Sequence, residues 1–415
     1  MEIDDNKKEN DSAFYMVSIV LTLLVSLLMV SISIIYLWPS IDGIISEGPS
    51  GALVIWENEY KDITGISNLE NLNGDGVSLC IVDSGIDMSH PGLDGVLLEK
   101  WSDFVNQEQF PYDDEGHGTA MAGIIVAKNG LQGNAQGVTL LVAKAIDKEG
   151  IGSDQTISQS VEWCVDNGAD IISLSLGGEQ GFGAGIFTTD ALEQSVEDAL
   201  DLGVFVVAAA GNDGEDDDGD VESPGSVEDV ICVGGINRAG EIWKGSSVGD
   251  NDGRLWPNPI FARNNPDMKP EVVAPSQEVP ILMASGIGNN NWWGWSSGTS
   301  AATAWVSGSL ALLLEEYPAL QRENSEGRES IEEVKNLLSQ NSQMKESQNE
   351  HDDYYGYGIM RIDLLIDAKN DNNQISVEIN SEGSSLLPFI QDIQIERRNT
   401  TRVPPVNSTK PNELS

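Results

Sequence analysis

Apolar and polar positions divide this chain into a long uncharged run near the start, a middle of alternating short apolar strands and amphipathic helices, and a polar end. From Ala13 to Trp38 no charged residue occurs. As a helix those residues would span roughly 39 Å at 1.5 Å per residue, enough to cross a hydrocarbon core of about 30 Å with tilt. Farther on, Val77–Val82, Thr139–Ala145, Ala169–Gly178, Val204–Ala208 and Val230–Gly235 read as buried strands. Between them, Thr119–Ala127, Gln155–Asn167, with Ile157, Val161 and Val165 at near-helical spacing, and Thr188–Leu202 read as helices. This alternation predicts an α/β fold: a mostly parallel central sheet with helices on both faces. Beyond Asn370 the chain turns polar. A flexible tail, 371–415, is expected there, with Ile375–Ile379 able to add a strand and Asn399 and Asn407 in glycosylation-acceptor patterns.

The uncharged run is longer than the apolar part of a cleavable signal and lacks a convincing small-residue cleavage site, so an uncleaved anchor over 13–38 is expected. Lys7 and Lys8 precede it, and no Lys or Arg follows until Lys61. That asymmetry keeps residues 1–12 in the cytoplasm and puts the rest outside the cell membrane as a single-pass protein. Tyr15, Tyr36 and Trp38 sit near the ends of the run, where interfacial aromatics belong. A Gly-, Ser-, Pro- and Ile-containing stretch, 39–55, is read as a stalk before a domain over 56–370.

Charge narrows the partners. With 67 acidic against 22 basic residues among 415, the net charge of −45 disfavours nucleic acid and anionic membrane surfaces and favours cations and basic peptides. Such a composition suits a salty medium, where counterions screen self-repulsion, and equally an ordinary acidic secreted protein. The three cysteines, Cys80, Cys164 and Cys232, fall in apolar elements without clustered spacing; they are read as buried thiols, with neither a disulfide framework nor a zinc pattern.

The candidate chemistry lies in four short stretches. Asp83 ends the Val77–Val82 strand and opens Asp83-Ser84-Gly85. His117, one of three histidines, stands in Gly116-His117-Gly118-Thr119 at the start of a helical run. Ser300 lies in Gly298-Thr299-Ser300-Ala301, where a Gly- and Ser-rich loop enters an apolar helix. Asn212 follows Ala208-Ala209-Ala210-Gly211 at a strand end. Taken singly, Ser300 reads as a helix cap and Asn212 as a turn residue. Together they supply a hydroxyl at a helix N-terminus, a base, a carboxylate to orient that base, and an amide donor.

These four stretches, in the order Asp, His, Asn, Ser, resemble the subtilisin-like serine proteases over about Trp56 to Leu365. The resemblance implies the subtilisin-like fold, serine endopeptidase activity on extended polypeptides, and a triad of Asp83, His117 and Ser300 with Asn212 as oxyanion donor. It also implies that Ser175, Leu176 and Gly177, with Ala210 and Gly211, form the substrate-binding edge. No organic cofactor is implied. Calcium is allowed with its ligands unassigned, and Gly92 replaces the family's calcium-binding Asp after His90-Pro91. Ala301 and Ala304 stand where the family has Met and Pro, and Trp305 is expected to fill part of the space left. The acidic run Asp213–Glu222 lies where the family builds the base of its specificity pocket; it reads as a calcium site, as a selector of basic residues before the cut, or as a solvated loop. Too little chain separates the span from the Asp83 strand for a propeptide, so folding without one, or with a helper in trans, is expected. A monomer is expected. The rival reading is a catalytically silent member of the fold that holds peptides at the cell surface. Of the other histidines, His90 is expected to be structural and His351 to lie in an exposed loop. Trp292, Trp293 and Trp295 are expected either to line the cleft or to pack.

Overall fold

The computed structural model describes residues 15–33, 48–176, 191–214, 220–253, 261–287 and 291–371. Helix α1, Tyr15–Ser33, has a mean hydropathy of 2.5 and no residue buried, and is long and apolar enough to cross a membrane. A signal sequence meets the same criterion. Residues through Lys369 form one compact unit; of the second, which starts at Asn370, only Asn370 and Asp371 are described.

Seven strands form one sheet, ordered β2 (Leu98–Asp103), β3 (Thr139–Lys144), β1 (Ser78–Asp83), β4 (Ile171–Leu174), β5 (Phe205–Ala209), β6 (Ile231–Ile236) and β7 (Val272–Pro275), and every pairing is parallel. From β1 the chain goes to the edge strand β2 and comes back to lay β3 between β2 and β1, then crosses to place β4 on the other side of β1. The crevice beyond the carboxyl end of β1 is therefore a topological switch point, where open α/β sheets place their sites. The strands read as continuous apolar runs because both faces are covered. Helices α3 (His117–Val126) and α6 (Thr299–Glu316) pack together on one face, and α4 (Asp154–Asp166) and α5 (Ala191–Asp201) pack together on the other. A separate antiparallel pair, β8 (Val279–Leu282) with β9 (Trp293–Ser296), precedes α6.

Helix α6 is buried on all sides from Ala301 to Leu314. Its hydroxyls do not conflict with this, because Thr303, Ser307 and Ser309 each donate to the carbonyl four residues earlier. Trp305 reaches across to a neighbouring helix. Its ring packs edge-on against Tyr60 at 5.9 Å and its indole N–H donates to Thr64 Oγ1 at 3.1 Å, both on helix α2, Gly51–Thr64. That helix starts inside the stretch read as stalk, capped by Ser50, and ends at Gly65 with φ 78°. Helix α7, Glu329–Asn341, sends Lys335 into a buried charge cluster, where it lies 3.0 Å from Glu271, itself 2.7 Å from Lys269. The sequence analysis did not find α7, β2 or the β8–β9 pair.

The cysteine reading is corrected here. Cys80 and Cys164 are bonded in a disulfide that ties β1 to α4, and only Cys232 is a buried free thiol. Linear spacing hid this, since the two sulfurs meet only when α4 crosses back under β1. His351 is also corrected: it is half-buried, its Nε2 lies 2.9 Å from the Pro270 carbonyl oxygen and its ring is edge-on to Tyr357. Trp292 and Trp293 pack edge-on against His90, whereas Trp295 is mostly exposed. The expectations for 1–12, for most of the stalk and for the tail beyond Asp371 lie outside the described residues.

Closing a loop of 84 residues removes about 4–5 kcal/mol of unfolded-chain entropy at most. In denaturant the oxidised protein should therefore show one reactive thiol, rising to three after reduction, and a Cys80→Ala/Cys164→Ala variant should melt several degrees lower. Three thiols before reduction would contradict the pairing.

Candidate active site

Asp83 is the last residue of β1, and its carboxylate is held at the carboxyl edge of the sheet by the Ser84 N–H at 2.7 Å. His117 is the first residue of α3. Its Nδ1 lies 2.9 and 3.0 Å from the two Asp83 oxygens, so the carboxylate fixes Nδ1 as the protonated nitrogen and leaves Nε2 for chemistry.

Two glycines make this approach sterically allowed. A Cβ on Gly118 would lie 2.1 Å from the Gly85 carbonyl oxygen, and one on Gly85 would lie 2.1 Å from that of Tyr112. The two loops therefore touch backbone to backbone. Asp113, buried between them, accepts from Ser84 Oγ at 2.9 Å, Gly116 N at 2.7 Å and both Thr119 N and Oγ1. Ser84 Oγ in turn accepts from Gly118 N at 2.8 Å. Lys144, ending β3 and fully buried, reaches across to the Ser84 carbonyl, the Ile146 carbonyl and Asp114, the last at 2.7 Å. Its ammonium stands over the Tyr112 ring. Sequence reasoning missed Ser84, Asp113 and Lys144 as site supports. The signal for Lys144 was present as the single charge in an otherwise apolar strand.

Burial by itself would push His117 toward the neutral form, but Asp83 first, then Glu115 and Asp113, outweigh it and raise the imidazole to about 9. His90 shows the opposite balance. Burial holds it below the usual histidine range while Gly92 N donates to its Nδ1 and its Nε2 meets the Trp292 carbonyl, so it is structural as expected.

Ser300 lies in the first turn of α6, where backbone N–H groups have no intrahelical acceptor. Its hydroxyl donates to the Ser175 carbonyl oxygen at 3.0 Å rather than to His117, and Ser175 Oγ returns a bond to the Ser300 carbonyl at 3.1 Å. The nucleophile candidate is thereby tied to the end of β4. Leu176 follows, half-buried; Gly177 lies outside the described residues. Asn212 is exposed, and its Oδ1 accepts from Thr299 N at 2.9 Å and Thr299 Oγ1 at 3.1 Å. Because the Thr299 N–H can only donate, the amide is oriented with Nδ2 turned away from Thr299. Gly211, with φ 110°, exchanges bonds with Thr299 Oγ1 through its N–H and its carbonyl, and Ala210 is fully buried behind it. Thr299 is a further support that the sequence reading did not single out.

Among the described residues no three His, Cys, Asp or Glu side chains gather as ligands. At Gly92 a Cβ would crowd Leu282, His90 and Trp293. Residues 215–219 of the acidic run lie outside the described residues.

Residues 74–358 match the model of the subtilase family, described as Peptidase S8. Subtilisin NAT of Bacillus subtilis subsp. natto is 30% identical over 298 residues, covering 71% of this chain and 66% of that one. Subtilisin of Bacillus pumilus is 30% identical over 298 residues, covering 71% of this chain and 92% of that one. Among solved structures, a cold adapted subtilisin-like serine proteinase superposes with a TM-score of 0.53 at 24% identity, over 71% of this chain and 91% of that chain, a likeness of fold alone. The parallel sheet, the Asp83–His117 contact at its switch point and these matches lead to one conclusion: the chain belongs to the subtilase family of serine endopeptidases.

Proposed function

We propose that the chain hydrolyses peptide bonds of extended polypeptides through an acyl-enzyme on Ser300, with its catalytic domain outside the cytoplasm. The observation that carries this is the two-oxygen contact of Asp83 with His117 Nδ1, at 2.9 and 3.0 Å, in a chain that also places Ser300 at a helix N-terminus. A polypeptide lies along Ser175–Gly177 by strand addition. The Ser300 hydroxyl turns from the Ser175 carbonyl to His117 Nε2, gives up its proton and attacks the scissile carbonyl carbon. The oxyanion is met by the Ser300 N–H and Asn212 Nδ2, donors fixed before the reaction begins. His117 then protonates the leaving amine, and a water repeats the sequence to release the acid. The uncleaved-anchor reading of α1 is supported by its length and composition. An oxidising compartment is supported by the Cys80–Cys164 disulfide.

Specificity follows from Glu222, in the acidic run. Its N–H donates to the Ala210 carbonyl at 2.9 Å, and a Cβ on Gly211 would fall 2.6 Å from its carboxyl carbon. A carboxylate this close to the Ala210–Gly211 wall selects Lys or Arg before the cut.

Three outcomes test these readings. A fluorophosphonate should label the parent and not Ser300→Ala, with casein cleavage falling by about 10⁴-fold or more; labelling of the variant would remove Ser300 from the role. Because His117 must be neutral to accept a proton, kcat/KM should rise about tenfold per pH unit and level near a midpoint of about 9. Glu115→Gln should lower that midpoint, as should added salt, since the His117 side chain is 36% exposed. The same raised value means that His117 stabilises the fold fully below its unfolded pKa of about 6.5, a contribution lost as pH climbs through about 9. A flat profile from pH 6 to 9 would refute the assignment. Finally, peptides with Lys or Arg before the cut should be preferred over Leu by about tenfold or more, and Glu222→Gln should erase the preference; equal parent rates would exclude Glu222 as selector.

A further inference from the structure

In a chain this acidic, a lysine without an acceptor is unusual. Among the described residues every other lysine and arginine has a carboxylate or a carbonyl within reach. Lys244 has neither, and the Lys345 ammonium has only the face of the Tyr355 ring, 4.7 Å from its centroid. Both lysines line the same cavity, of about 340 Å³. Its other walls are mainly apolar or aromatic, with Ile242, Val248 and Tyr354 beside Tyr355. The one carboxylate in the lining, Asp352, is engaged by its own loop, accepting from the N–H groups of Tyr354 at 2.9 Å and Tyr355 at 2.8 Å.

The loop that carries Asn212 contributes Gly214 to the lining of this cavity. Gly214 has φ 60°, and a Cβ there would stand 2.4 Å from the Lys244 carbonyl oxygen. Asp213 N donates to Ser247 Oγ at 3.1 Å, and Ser247 N donates to the Gly211 carbonyl at 3.1 Å. The segment bearing Lys244 thus grips the chain on both sides of Asn212.

We propose that this cavity binds a small organic dicarboxylate with an apolar body, and that its occupancy acts on the Asn212 loop. The two ammonium groups meet the carboxylates, and the Tyr, Ile and Val walls take the body. A strongly hydrated inorganic anion of the same charge gains nothing from those walls. The binding half stands on the cavity alone; the coupling half rests on the reading of Asn212 as oxyanion donor.

The probe is isophthalate, titrated calorimetrically into full-length Ser300→Ala protein in detergent at constant ionic strength, beside phosphate and a Lys244→Ala/Lys345→Ala variant with an unchanged melting temperature. Saturable one-to-one binding of isophthalate, weakened about tenfold or more in the double variant and stronger than that of phosphate, is the expected result. No saturable heat, equal binding of phosphate, or binding that survives the double substitution would overturn the site. In the Ser300 protein, saturating isophthalate should change kcat on a peptide amide about twofold or more, and not in the double variant. Binding without that change would overturn the coupling. A Ser300 protein that cleaves nothing while its variant binds isophthalate would defeat the proposed function and the coupling, and leave the site standing.

Discussion

The close approach of two loops at the carboxyl end of β1 is the constraint on which the site depends. Any side chain at Gly85 or Gly118 would drive the Asp83 loop and the start of α3 apart. Asp113 converts that approach into a fixed distance by accepting from both loops at once. A buried carboxylate with this many donors is satisfied only in one geometry, so it specifies the arrangement as well as stabilising it. Lys144 offsets part of the negative charge and ties β3 to the same corner. The His117–Asp83 contact is the product of these bonds, which few single substitutions would leave intact.

Charge of one sign shapes the rest of the molecule. Asp83 above all, with Glu115 and Asp113, raises His117 against the effect of burial, so the base holds its proton more firmly than a histidine in isolation. The excess of carboxylates is managed inside the fold by placing cations where they are boxed in, as Lys269 and Lys335 are around Glu271. Removing one member of such a buried group leaves an uncompensated charge, which costs far more than the group contributes net. Against that pattern the two lysines facing one cavity stand out.

Much of the fold was legible along the chain. The β1, β3, β4, β5 and β6 strands and the α3–α5 helices follow from apolar runs and helical spacing, because buried parallel strands and the helices covering them have distinct periods. The boundaries moved by a few residues, as with Asp154–Asp166 against the expected Gln155–Asn167. Strand β2 was hidden because Lys100 and Glu99 interrupt any apolar pattern on an edge strand. The contacts of Trp305 with Tyr60 and Thr64 were not legible, since they join residues about 240 positions apart.

By itself the sequence determined the alternation of central strands and helices, the long uncharged segment near its start, the acid excess, and the four stretches bearing Asp83, His117, Asn212 and Ser300. These are local or compositional properties, written in neighbouring residues. Only the tertiary structure decided that Cys80 meets Cys164, that Asp113 and Lys144 brace the site, that Thr299 orients Asn212, and that Lys244 and Lys345 face one cavity. Each of these joins residues far apart in the chain or on different elements, and their meeting is set by strand order and helix packing, which no single stretch encodes.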